Sequence, residues 1–156
     1  MAALPTYTVS DLGESVQTAL DLGGIGRVFA LTSSDKINVL ALQNFSRLYD
    51  RSFLYQLPPK IEKGKKSELR KEVLGRQLFA PEATFHHLQQ RMDAGASMKA
   101  TKLTEEFDLE DFRAMYATTA LLLCVIDDDE KLTFFTTESK PEPKPGDVIV
   151  SLVDPQ

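Results

Sequence analysis

The stretch that most restricts how this chain can fold runs from residue 27 to residue 59. Residues 27–31 (RVFAL) are apolar without alternation after the first position, the pattern of a strand covered on both faces in a parallel sheet. Thr32-Ser33-Ser34-Asp35 follow, residue types that favour the N-cap of a helix because their side chains accept hydrogen bonds from its free N–H groups. Ile37, Leu40, Ala41, Phe45 and Leu48 then recur at helical spacing, so residues 36–49 are expected to form an amphipathic helix. Residues 52–56 (SFLYQ) read as the next strand, stopped at Leu57-Pro58-Pro59 because proline cannot donate to a ladder. Strand, helix and strand over this length make the right-handed crossover of a parallel sheet. Ahead of this unit, residues 6–9 are expected as a short strand. Residues 14–20 follow as a short helix capped by Ser10 or Asp11 and ended by Gly23-Gly24-Ile25-Gly26.

Charge divides the rest. Residues 1–59 carry four basic and five acidic side chains, residues 60–72 (KIEKGKKSELRKE) six and three, and residues 73–156 eight and fifteen. The locally basic middle segment reads as a solvated connector between two folded parts. Beyond it, a short strand is expected at residues 76–79. A helix with Pro81 in its first turn should run through Phe85, Leu88 and Met92 to Gly95. Residues 97–103 alternate like a strand, and residues 108–116 read as a helix. Strands at 121–126 and 132–136 flank the turn Asp127–Lys131, and residues 148–153 close the unit. The fold class expected is α/β: a partial Rossmann-like parallel β-α-β half at residues 1–59, a polar linker at 60–75, and a small α+β unit with antiparallel strands at 76–156.

The chain has 156 residues, a net charge of −5 and a pI near 5.1, a balance that argues against a nucleic-acid partner. One cysteine, Cys124, excludes an internal disulfide framework. The longest apolar run, Ala120–Ile126, is far short of the roughly 18 residues a membrane helix needs. The first ten residues lack the basic start and apolar stretch of a signal peptide, so a cytoplasmic setting is expected.

Few residues suggest chemistry. Gly24-Ile25-Gly26 lacks the third glycine of a dinucleotide fingerprint and precedes a strand instead of following one, so it reads as a helix stop. Thr32, Ser33, Ser34, Asp35 and Asn38 are the candidate ligand contacts. They sit where a parallel strand ends and a helix begins, the place at which α/β sheets hold ligands. Plain capping by Ser34 or Asp35 accounts for the same residues. His86 and His87 are adjacent and project roughly 100° apart on a helix, so they cannot converge on one metal. Cys124 reads as a small buried hydrophobe, and the acidic groups at 105–108 and 127–130 as loops and a helix start. No catalytic residue and no metal site is expected.

The segment LDLGGIGRVFALTSSDKINVLALQNFSRLYDRSFLYQLPP resembles the second half of the KTN (RCK, TrkA-type) regulatory domains of potassium channels and cation–proton antiporters. The form fused behind the membrane part of bacterial sodium–proton antiporters is most similar. The likeness rests on RVFAL, the turn TSSD, Asn38 two residues beyond Lys36, and the strand ending YQLPP. LFAPEATFHHLQQRMDAGA and KPGDVIVSLV are similar to the C-terminal unit of the same proteins. The resemblance implies a non-catalytic, dimeric cytoplasmic module in which NAD or an adenine nucleotide gates transport. It places Thr32 and Asp35 at ligand contacts and Asn38 in the following helix. The family's first strand, glycine-rich turn and ribose-holding acid have no counterpart, so the chain is expected to begin near the third strand. The open sheet edge this leaves favours pairing with another copy. The rival readings are a structural dimerisation module without ligand and a fragment of an NAD-dependent oxidoreductase. The latter demands a phosphate loop and an acid–base group that the sequence does not offer.

Overall fold

A computed structural model describes residues 26–60, 74–117 and 119–155. The strand and helix expected at 6–9 and 14–20, and most of the basic connector, lie outside the described residues. The fold is mixed α/β, with a three-stranded parallel sheet and a four-stranded antiparallel sheet.

The parallel sheet follows the order β1-β2-β3, with β1 at Val28–Ala30, β2 at Leu54–Gln56 and β3 at Arg76–Gln77. Val28 faces Leu54 and Ala30 faces Gln56 in parallel register, and Tyr55 faces Arg76. Helix α1, Asp35–Phe45, makes the first crossover and seats Leu42, which is fully buried, on Ala30 and Leu54. The expected helix to residue 49 is shorter, because its last residues pass into turns closed by Leu48 and Tyr49 N–H groups on the Phe45 carbonyl. Its orientation also differs from expectation. Asn38 and Leu42, one turn apart, point inward, while Ile37, Leu40 and Leu48 are about half exposed. The expected strand at 52–56 opens instead as a 3-10 turn, Arg51–Phe53, because the Asp50 carboxylate accepts the Ser52 N–H at 2.8 Å and tightens the chain before β2.

β3 comes after the connector in sequence yet adds to the edge of β2. The expected strand to residue 79 stops early. Leu78 makes a single antiparallel bridge to Thr136, and Phe79 turns into the left-handed region at φ 68°. Helix α2 is Phe85–Asp93. It begins later than Pro81, which sits in a turn closed by Ala83 N–H on the Ala80 carbonyl. Thr84 is the N-cap, its hydroxyl accepting from the His87 N–H at 3.3 Å. The helix ends as the sequence suggests, at Gly95. A φ of 96° there lets its N–H reach the Met92 carbonyl and the Ala96 N–H reach that of Arg91.

The antiparallel sheet is built from β4 at Ser97–Lys102, β5 at Ala120–Ile126, β6 at Leu132–Phe134 and β7 at Val148–Val153, in the order β4-β7-β5-β6. Alternation along β7 feeds two cores. Ile149 and Val153 join Leu103, Phe112 and Tyr116 under helix α3, Leu109–Tyr116, while Leu152 meets Ala83 and Leu121. α3 starts with a capping box in which Asp108 and Asp111 each accept a backbone N–H of the other's residue. The Asp127 carboxylate shapes the β5–β6 turn by accepting the N–H groups of Asp129 and Lys131. Arg91 ties α2 to the end of β7, donating from Nε to Asp154 at 2.7 Å and from Nη2 to the Thr119 and Leu152 carbonyls.

The two sheets meet at a seam. The Leu78 N–H bonds the Gln56 carbonyl on one side. On the other, the Phe79 N–H bonds Phe135 at 2.7 Å and the Thr137 N–H bonds Gln77 at 3.0 Å. Phe29 stacks on Tyr55, and Phe134 meets both rings edge-on or tilted across the seam, with ring centroids 5.1–5.5 Å apart.

Candidate functional site

The turn after β1 is built from its own side chains. Asn38 is 2% exposed, and its Oδ1 accepts both the N–H (3.0 Å) and the hydroxyl (2.7 Å) of Thr32. Its Nδ2 donates to the Thr32 carbonyl at 3.0 Å. Ser34 is the N-cap of α1, its hydroxyl accepting from Ile37 at 3.4 Å. Thr32, Ser34 and Asn38 therefore spend their polar atoms holding the turn. Ser33 and Asp35 face outward, and the Asp35 carboxylate also accepts the Lys60 N–H at 3.1 Å, fastening the chain that leaves β2.

These residues open on a cleft of about 290 Å³ lined by Ser33, Asp35, Lys60, Thr84, Phe85 and His86. One wall is the carboxyl end of β1 and β2 with the start of α1. The other is the start of α2. Two helix N-termini thus face one space, each with first-turn N–H groups that have no intrahelical acceptor. The formal charges of Asp35 and Lys60 offset one another, so the two helix dipoles favour an anionic group. Small-molecule sites span roughly 300–1,000 Å³, so at about 290 Å³ this cleft lies just below that range, room for a phosphate-bearing moiety and not for a whole dinucleotide.

Sequence reasoning located the Ser33–Asp35 wall and missed Lys60 and Thr84–His86. Thr84 carried a usable signal, a cap residue just before an apolar-periodic run, but its meeting with α1 is a tertiary fact. His86 and His87 do not converge on a metal, and no cluster of three or more metal-binding side chains occurs among the described residues. Cys124 is buried, and burial pushes its thiol pKa up, against a nucleophilic role. A larger open groove of about 470 Å³ lies along Glu105, Asp108, Glu110 and Pro143–Pro145. It fronts the N-terminus of α3, whose N–H groups the Asp108 carboxylate already occupies. No described helix is long and apolar enough to cross a membrane. No family model matches the chain, and no curated protein is detectably similar to it in sequence.

Proposed function

We propose that this chain is a non-catalytic, ligand-sensing regulatory module of a monovalent cation–proton antiporter. It acts on the cytoplasmic side of the membrane as a homodimer joined to the transport part. The observation that carries the sensing role is the cleft at the carboxyl end of the parallel strands, with two capped helix N-termini and Lys60 around it. The assignment to an antiporter is supported by the likeness of RVFAL-TSSD and YQLPP to KTN domains. The ligand in this reading is an adenine nucleotide or the adenylate half of NAD, its phosphate at the helix starts. Regulation follows from differential affinity for two arrangements of the walls, since a ligand that binds both arrangements equally shifts nothing.

Calorimetry with AMP, ATP, NAD and NADH, paired with sedimentation velocity, tests the reading. One-to-one saturable binding of at least one nucleotide by a dimer is expected. A monomer that takes up none of the four removes the sensing role and the dimer together.

A further inference from the structure

Among the described residues the longest strand edge without a partner is that of β4. The order β4-β7-β5-β6 puts it at the rim of the antiparallel sheet, with β7 on one side only. The outer strands β1, β3 and β6 are shorter, and the rim of β6 already receives Arg27, whose Nη2 donates to the Leu132 carbonyl at 2.9 Å.

The backbone of β4 has a defined phase. It matches β7 residue for residue from Ser97–Val153 to Lys102–Val148, without a bulge. Just beyond, the Leu103 N–H bonds the Asp147 carbonyl at 2.8 Å, and the Leu103 carbonyl accepts the Gly146 N–H at 2.9 Å. Hydrogen-bonding groups alternate between the two rims of a strand, so Thr101, Lys99 and Ser97 face β7 as Leu103 does. β7 has the matching phase: the Asp154 N–H turns to Thr119 on the β5 side at 3.1 Å, which aims Val153, Ser151 and Ile149 at β4. The N–H and C=O groups of Met98, Ala100 and Lys102 are therefore directed outward.

Natural edges are blunted by proline, bulges, covering elements or lysine. β4 has only lysine. Lys99 is folded back over its own chain, its Nζ 5.0 Å from the Tyr116 ring centroid on the α3 face. Every β4 residue except Thr101 is exposed, and Met98, at 75%, is the most exposed large apolar side chain among the described residues.

Two copies of this edge fit one another. Outward residues must oppose outward residues if their hydrogen bonds are to be exchanged. A two-fold axis at Lys99 would set that lysine against its own mate, a repulsive pair. An axis at Ala100 gives an overlap of equal length and avoids this. It sets Ala100 against Ala100 where the strands cross the axis, Met98 against the aliphatic stem of Lys102, and Lys99 against Thr101, with no lysine opposite a lysine.

We propose that β4 is the surface through which two copies of this chain pair, antiparallel and centred on Ala100, so that the two antiparallel sheets become one. The pairing stands on the edge geometry; that the dimer regulates transport rests on the function proposed above, whose homodimer it locates. One strand pair is small beside the ~1,200–2,000 Å² of a standard interface, so the dimer should dissociate on dilution.

Sedimentation velocity of the full chain over a dilution series is expected to show a monomer–dimer equilibrium. Ala100→Pro removes the outward N–H on the axis, which the β7 ladder does not use, and proline is tolerated at an edge. Ala100→Lys sets two charges against each other and leaves the backbone alone. Both variants are expected to sediment as monomers at every concentration, with the circular dichroism of the parent chain. Oxidation in a Cys124→Ala background reads the register. The Cα atoms of a hydrogen-bonded antiparallel pair lie about 5.5 Å apart, inside the range a disulfide spans, so Ala100→Cys should give a covalent dimer. Lys99→Cys should not, its mate lying diagonal to it. A dimer that survives both Ala100→Pro and Ala100→Lys overturns the β4 pairing and leaves the proposed homodimer standing. A parent chain that stays monomeric at millimolar concentration overturns both. Crosslinking through Lys99→Cys in place of Ala100→Cys overturns the register.

Discussion

Gly75→Ala isolates how closely the parallel half is packed. A Cβ there would lie 2.7 Å from Leu42 Cδ1 and 3.1 Å from the Leu54 carbonyl oxygen. Leu42 and Leu54 are 0% and 1% exposed, so neither has room to retreat. The Gly75 N–H donates to the buried Gln56 side chain at 3.1 Å, so withdrawing the backbone would strand a buried amide. Overpacking of this kind costs about 1–3 kcal/mol. Restricting the unfolded chain returns about 0.4–1 kcal/mol, since no positive φ opposes alanine here. The clash wins, with a net loss of about 1–2 kcal/mol, or roughly 3–6 °C in Tm at this chain length. Urea denaturation measures it against Gly26→Ala, where nothing lies within 4 Å of the new methyl and a change under about 0.5 kcal/mol is expected. In a Leu42→Ala background, which itself costs about 2–5 kcal/mol, the added methyl at 75 should cost less than it does alone. A Gly75→Ala chain as stable as Gly26→Ala refutes the packing argument.

Other expectations are more local. Asn38→Ala removes three hydrogen bonds to Thr32 and should cost about 1–3 kcal/mol in urea while raising exchange at the Thr32 amide. Burial raises the Cys124 thiol pKa, so alkylation by iodoacetamide at pH 8 should run at least about tenfold slower than for a free thiol and recover in urea. The hydrogen bond from Arg51 holds the Glu138 carboxyl below its ordinary range. Its stabilisation is therefore complete above the unfolded value near ~4.3 and is lost as pH falls through the lower folded value. Half-exposed partners keep this under about 1 kcal/mol, and Glu138→Gln should remove that part of the acid dependence in urea midpoints taken from pH 6 to pH 3.

The strand–helix–strand of the parallel half was legible from a cap-rich turn, a proline stop and the apolar run at 27–31. The covering of both faces read from that run was not borne out: β1 is Val28–Ala30, and Phe29 and Leu31 are 39% and 44% exposed. The rotation of α1 was not legible either. Counting apolar spacing favours Ile37 and Leu40 as the covered side, yet Asn38 turns inward because its amide has three partners on Thr32, and Leu42 follows one turn later. β3 is two residues long and carries no period, so its place beside β2 is set by the Gln56 and Tyr55 ladder. The same holds for the cleft. One wall is written in consecutive residues, Ser33 to Asp35, while the other arrives from about fifty residues away through the turn at Phe79.

A nitrogen-15 correlation spectrum of the chain titrated with AMP addresses the sensing role at its source. The backbone amides of Ser33, Asp35, Phe85 and His86 are expected to shift together along one saturable curve, with those of β4 and β7 unmoved. Resonances of all four residues that stay fixed up to millimolar AMP, or shifts confined to the antiparallel sheet, would contradict the assignment of the ligand to the space between the two helix starts.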